Sequence, residues 1–379
     1  MIKDLARYLV EDEEKRSTIN NILFPPDLMV QYEDHCLYEL DYCEAKSIRL
    51  TKYCPRCHRK YGEDENFCYD CLIALKNLDD IANVREIESE PMFTHDGSND
   101  FASFDELLCD ENISRIDEFR FLTKDYNQVI KDIKIMALKN FDGIVKSNEI
   151  VPEYLTVLDK VLLFSKAFTR ISFKSYGQEL GMYSFNQIEI DDRQTAALQI
   201  TTLMHELSHF LIKEILTHII CKILDCTKSS LVESLATFIL SYSPFTRLID
   251  EYSAHSVEGR FTVYGYQDYS SFIQIEESLE GEMSRDEIEI TKSIGNSFSN
   301  SIKDILEAYI DYDLRSDIKE QFLKDVIDKP NYEMLALENC DKLKNRGFMK
   351  AIWLILIEGM TAARDNIPKL EEYNNCFIH

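Results

Sequence analysis

The chain has no long hydrophobic run. Its most apolar late stretch, Ala351 to Ile357, is far too short to span a bilayer and reads as a buried helix around the single tryptophan, Trp353. The first residues, Met1-Ile2-Lys3-Asp4-Leu5-Ala6-Arg7, lack the apolar segment of a secretion signal. Positive charge is scarce: 42 Lys and Arg face 68 Asp and Glu, for a net charge of −26 at pH 7. Phosphate repulsion therefore argues against broad nucleic-acid binding. Internal repeats and low-complexity tracts are missing, and so is a regular cysteine framework, because seven of the eleven cysteines (Cys36, Cys43, Cys109, Cys221, Cys226, Cys340 and Cys376) are scattered. These absences predict a cytoplasmic chain with no membrane span. At 379 residues and 45% hydrophobic content it can bury a substantial core, divided into two or three domains.

The motif that carries chemistry is His205-Glu206-Leu207-Ser208-His209. From Arg193 to about Leu216 the apolar residues Ala197, Ile200, Leu203, Met204, Leu207, Phe210, Leu211 and Ile215 recur at spacings of three and four, unbroken by Gly or Pro, which predicts a helix. On it the two histidines project from one face, about one turn apart, and can share a Zn²⁺ ion. Glu206 between them is placed to act as general base on a water in the open position. The bland alternative is a buried helix whose two histidines satisfy polar neighbours.

Two histidines leave zinc under-coordinated, so a third ligand is needed from another element. Glu233, at the start of the apolar stretch Ser230 to Phe238, is the candidate. Here the sequence resembles the gluzincin group of metallopeptidases, in which a downstream glutamate, often followed three residues later by alanine, completes the site. Glu233 and Ala236 match that pattern, as His205, Glu206 and His209 match the signature. Ser230-x-x-Glu233 is equally a capping box, which leaves a second role open for the glutamate. A metzincin pattern would need Gly and a third His soon after the motif, where Phe210-Leu211-Ile212-Lys213 stands instead.

Upstream, Arg170 to Tyr176, Met182 to Phe185 and Ile188 to Ile190 read as short strands separated by Gly177, Gly181 and Asn186. The resemblance implies that an edge strand here, Gly181 to Phe185 with Tyr183 at its centre, holds an extended substrate by backbone hydrogen bonds. An ordinary meander packed on the helix is the alternative. A donor to the developing oxyanion is sought among His255, Tyr264, Tyr266 and Tyr269, with Tyr266 the choice made.

A second metal site is written in Cys54-Pro55-Arg56-Cys57 and Cys68-Tyr69-Asp70-Cys71, two Cys-x-x-Cys knuckles at the spacing of a structural zinc site. The stretch resembles short zinc-ribbon modules, with Phe67 in the usual aromatic place and His58 departing from the usual glycine. Lys46, Arg49, Lys52, Arg56, Arg59 and Lys60 gather basic charge beside the first knuckle, which reads first as a solvated face.

The expected architecture is therefore α+β. A segment over 1–80 holds the ribbon at 46–75, and an acidic linker follows over 81–114. A zincin-like metallopeptidase domain occupies 115–285, and a helical segment 286–379. Two Zn²⁺ ions are expected, one catalytic and one structural, with a protein or peptide as substrate and a protein partner for the ribbon. The competing class is a non-enzymatic ribbon protein whose zincin site is degenerate or structural.

Overall fold

The computed structural model describes residues 50–57, 59–78, 83–89, 93, 97–119, 122–174, 180–262, 270–279, 284–325 and 343–378. The chain divides into two compact units, Met1–Asp80 and Ile81–His379. In the first, β1 (Leu50–Tyr53), β2 (Lys60–Gly62) and β5 (Lys76–Asn77) form an antiparallel sheet in the order β2-β1-β5, while β3 (Phe67–Cys68) pairs with β4 (Ile73–Ala74). Its buried core is Cys54, Tyr61 and Cys68, with Cys71, Ile73 and Leu75 against them. So little apolar surface cannot offset the entropy of ordering the chain, and a metal is the usual remedy.

The second unit is mainly helical. Helices α1 (Phe104–Leu107), α2 (Asp110–Glu118), α3 (Thr123–Ser147) and α4 (Val157–Ser165) precede a three-stranded sheet of β6 (Arg170–Lys174), β7 (Gly181–Ser184) and β8 (Gln187–Asp191). β8 lies in the middle, parallel to β6 and antiparallel to β7. There follow α5 (Ala196–Leu224), α6 (Ser230–Ser241), α7 (Pro244–Phe261), α8 (Ser270–Ser278), α9 (Arg285–Leu306), α10 (Tyr312–Lys324), α11 (Asn345–Arg364) and α12 (Ile367–Ile378). The α+β expectation thus holds in its coarse form, with helix dominant.

Helix α5 forms the centre. Thr195 caps its start by accepting from the Leu198 amide, and Asp225 ends it in the left-handed region at φ 52°. It is buried nearly all round, which requires neighbours on every face. Thr123 is the first residue of α3, and Thr156 caps α4 by accepting from the Asp159 amide.

The acidic stretch expected as a linker is instead fastened to the second unit. Val84, Ile87, Phe93, Phe104, Leu107 and Leu108 are buried in the same core as α5. Phe93 meets Phe168 and Phe210 with ring centroids 6.0 and 6.2 Å apart. The amides of Ser98 and Asn99 donate to the Asp225 carbonyl, 3.1 and 3.0 Å away. Gly97 is required there: a Cβ would stand 2.1 Å from the Cys226 carbonyl carbon. The helical segment after 286 likewise shares this core, through Ile294, Phe298, Ile302, Ile352 and Leu356. Among the described residues no helix is long and apolar enough to cross a membrane.

Candidate metal centre and active site

The four knuckle cysteines come together as their spacing predicts. Their sulfurs lie within 4.8 Å of one another, with Cys57 Sγ 3.7 Å from Cys68 Sγ. Four sulfurs each about 2.3 Å from one zinc stand about 3.8 Å apart, so the set fits a tetrahedral ion. The Arg56 and Cys57 amides point to Cys54 Sγ at 3.4 Å, and Tyr61 donates its hydroxyl to Cys68 Sγ at 2.9 Å. That hydroxyl is the main reason the Cys68 thiol is pulled down to about 6, whereas burial pushes Cys71 up to about 12. Leu72, at φ 56°, takes the left-handed turn after the second knuckle. His58, Lys46 and Arg49 lie outside the described residues.

In the second unit, His205 and His209 face one another across a turn of α5, their Nε2 atoms 3.2 Å apart. Glu251 of α7 reaches the same point, with its Oε2 3.7 Å from His205 Nε2 and 4.0 Å from His209 Nε2. These three form one of the groups able to hold a metal ion. Ligand atoms each about 2.0 to 2.1 Å from one tetrahedral zinc stand about 3.3 to 3.4 Å apart, so a carboxylate movement of about half an ångström closes the set.

The far nitrogens carry the second part of the geometry. His205 Nδ1 is 3.1 Å from Glu258 Oε2, and His209 Nδ1 is 3.0 Å from Asp250 Oδ2. The Glu258 carboxylate hydrogen-bonded behind His205 favours the tautomer that leaves Nε2 free to ligate, and Asp250 stands at ion-pair distance behind His209. Burial alone would lower the His209 imidazolium, but Asp250, Glu251 and Glu206 outweigh it and raise the group to about 10. Burial likewise opposes His205, whose bond to Glu258 nevertheless carries it upward.

Glu233, expected as the third ligand, is elsewhere engaged. Its Oε1 is 2.8 Å from Lys213 Nζ and 3.2 Å from Lys228 Nζ. Lys213 is almost wholly buried on α5 and also reaches Glu214 Oε1 and Asn186 Oδ1, each at 2.8 Å. A buried ammonium ion needs carboxylate partners, and Glu233 supplies one. Nor does Glu233 close a capping box, since Ser229 is the N-cap of α6 and makes no side-chain cap bond. The residue missed was Glu251. Glu251-x-x-Ala254 repeats the spacing of Glu233-x-x-Ala236, and that was the available signal.

Glu206 lies against β7. The Tyr183 amide donates to its carboxylate, and burial raises its pKa while His205 and His209 oppose the rise. A Cβ on Gly181 would stand 2.3 Å from Thr202 Cγ2 and 3.2 Å from Glu206 Cγ, so β7 rests on the motif helix at a position that only glycine allows. Among the described residues β7 pairs with β8 alone and is an edge strand. The Tyr183 ring runs nearly parallel to His209, 13° off at 6.4 Å, and its buried hydroxyl has no hydrogen-bond partner among the described residues. Phe185, expected to contact substrate, turns away: it sits at φ 55° in the β7–β8 turn and packs on Tyr373 and Phe377 of α12 at 5.8 and 5.1 Å.

Of the residues considered as oxyanion donors, Tyr264, Tyr266 and Tyr269 lie outside the described residues. His255 is at the site. Its Nδ1 is 3.3 Å from Glu258 Oε2, and its Nε2 is 2.7 Å from Ser271 Oγ, which donates to Glu251 Oε2 at 2.9 Å. Comparison with protein-family models, curated proteins and solved structures finds no match for this chain.

Proposed function

We propose that the chain is a zinc-dependent endopeptidase whose body follows the zincin plan, with Glu251 rather than Glu233 as the third protein ligand. One observation carries the reading: both Nε2 atoms of the motif converge on the Glu251 carboxylate while both Nδ1 atoms rest against carboxylates of the same helix, Glu258 and Asp250. Histidines that only satisfied core neighbours would have no reason to aim their remaining nitrogens at one point.

Zinc bound there supplies a Lewis acid that acidifies water and polarises a carbonyl. Glu206 accepts a proton from the attacking water and returns it to the leaving amine. Its surroundings suit both halves: the imidazoles favour the carboxylate, and burial favours the acid. The edge of β7 offers backbone groups to an extended peptide beside Glu206. The ribbon holds a second, structural zinc and is a surface for a protein partner. The free thiols among the described residues are in keeping with a reducing, cytoplasmic setting.

The test is a proteome-wide cleavage comparison of the wild type with Glu206→Gln, which keeps the size of the side chain and removes the base. Cleavage products present only with the wild type are expected. Equal cleavage by both proteins overturns the assignment.

A further inference from the structure

Helix α8 reaches the candidate metal centre through Ser271 Oγ. Ser271 Oγ donates to Glu251 Oε2, the oxygen that faces both histidines, and lies 2.7 Å from His255 Nε2. A glutamate side chain has several rotatable bonds, and a lone carboxylate at the end of them is poorly fixed unless something holds it. Here the hydroxyl does.

The same helix is attached to the body by a core of its own. Phe272 and Leu279 are buried against Leu248 and Tyr252 of α7, with Ile273 and Ile275 partly buried beside them. This cluster is separate from the one that surrounds α5. Leu248 and Tyr252 stand one turn apart on α7, as do Glu251 and His255, so the apolar seat of α8 adjoins the ligand it touches. Lys292 of α9 adds a contact over the Phe272 ring, 5.6 Å from its centroid. A helix held by a small satellite cluster opens at lower free energy than elements of the main core.

Resting on the zinc reading above, we infer that Ser271 is a positioning residue for the third ligand and that α8 is a cap whose docking is coupled to metal retention. With α8 seated, Glu251 is held toward the imidazoles. With α8 lifted, its carboxylate swings free and the ion is held by two histidines. Linkage makes the effect reciprocal: whatever factor α8 adds to zinc affinity, zinc adds to the docking of α8. The body then carries a metal-gated helix beside its catalytic cleft.

The experiment uses the full chain loaded with Zn²⁺, the ribbon ion serving as internal control. Zinc affinity at each site is read by chelator competition, and hydrogen exchange is followed over residues 271–279. Ser271→Ala is expected to weaken the body site roughly 10- to 100-fold and leave the ribbon unchanged. Ser271→Thr, which keeps the hydroxyl, restores most of it. Phe272→Ala, which unseats α8 without touching the hydroxyl, weakens the same site. Zinc should slow exchange over 271–279 in the wild type and not in His209→Ala. Wild-type body zinc with Ser271→Ala of equal affinity, or exchange indifferent to zinc, overturns the coupling alone. A wild-type body that takes no zinc overturns the metal reading with it.

Discussion

His209 and Asp250 meet through the ring nitrogen that faces away from the motif, Nδ1 to Oδ2 at 3.0 Å, while the next residue, Glu251, faces the opposite nitrogen at 4.0 Å. Two adjacent acids on α7 thus face one imidazole from both sides, Asp250 behind it and Glu251 on the side where the proposed ion would sit.

Glu251 and Glu233 should separate cleanly under mutation. Glu251→Gln is expected to lose the body zinc with the fold intact. Glu233→Gln should keep that zinc and cost about 3 kcal/mol of stability, because Lys213 and Lys228 are left short of a buried counter-charge. Metal content and denaturant unfolding of the two variants decide it. Zinc lost from Glu233→Gln with stability unchanged would reverse the assignment.

Zinc affinity at the body site should rise with pH. In the metal-free protein the folded His209 titrates near 10, above its ordinary 6.5, so the imidazolium stabilises the fold fully below pH 6.5 and that contribution is lost as pH climbs through 10. Zinc needs the neutral ring and competes with this proton. Calorimetry between pH 6.5 and 9 should find proton release on binding and an affinity that strengthens by up to about tenfold per unit for each proton displaced. A flat profile contradicts the geometry.

Gly181→Ala should destabilise the body by roughly 1 to 3 kcal/mol, because the new methyl enters the space of Thr202 Cγ2. Thr202→Ser removes that methyl and keeps the hydroxyl bonded to Gln194. In combination it should recover most of the loss. Thermal unfolding of the two single variants and the double is the measurement, and simple additivity would show that the contact is not the cause.

Cys54→Ser should unfold the first unit and spare the helices of the second, since the core of the first is little more than its cysteines, Tyr61 and a few flanking side chains. Far-UV circular dichroism would then change little while one zinc is lost. A collapse of helical signal would mean that the two units depend on one another.

Much of the chemistry was legible because it is local. The motif needs only a helix and a spacing of four, and each knuckle is written within four residues. The proposed third ligand was not, because two Glu-x-x-Ala pairs compete and the choice depends on Lys213. That lysine sits on a helix buried nearly all round, a property of its neighbours that its own periodicity does not reveal, and it draws Glu233 away. Phe185 continued the alternation of β7 on paper but occupies a left-handed turn. The acidic stretch before α1 resembled a linker because its few apolar anchors, among them Val84, Ile87 and Phe93, are diluted by charge.

The seating of Phe185 on Tyr373 and Phe377, with Lys213 Nζ 5.3 Å from the centroid of the Phe377 ring, orders events during synthesis. The ribosome delivers both histidines, Glu251 and Ser271 well before the helix that clamps the hairpin next to them. A nascent chain can therefore carry every proposed metal donor before α12 is present to pack on the β7–β8 turn.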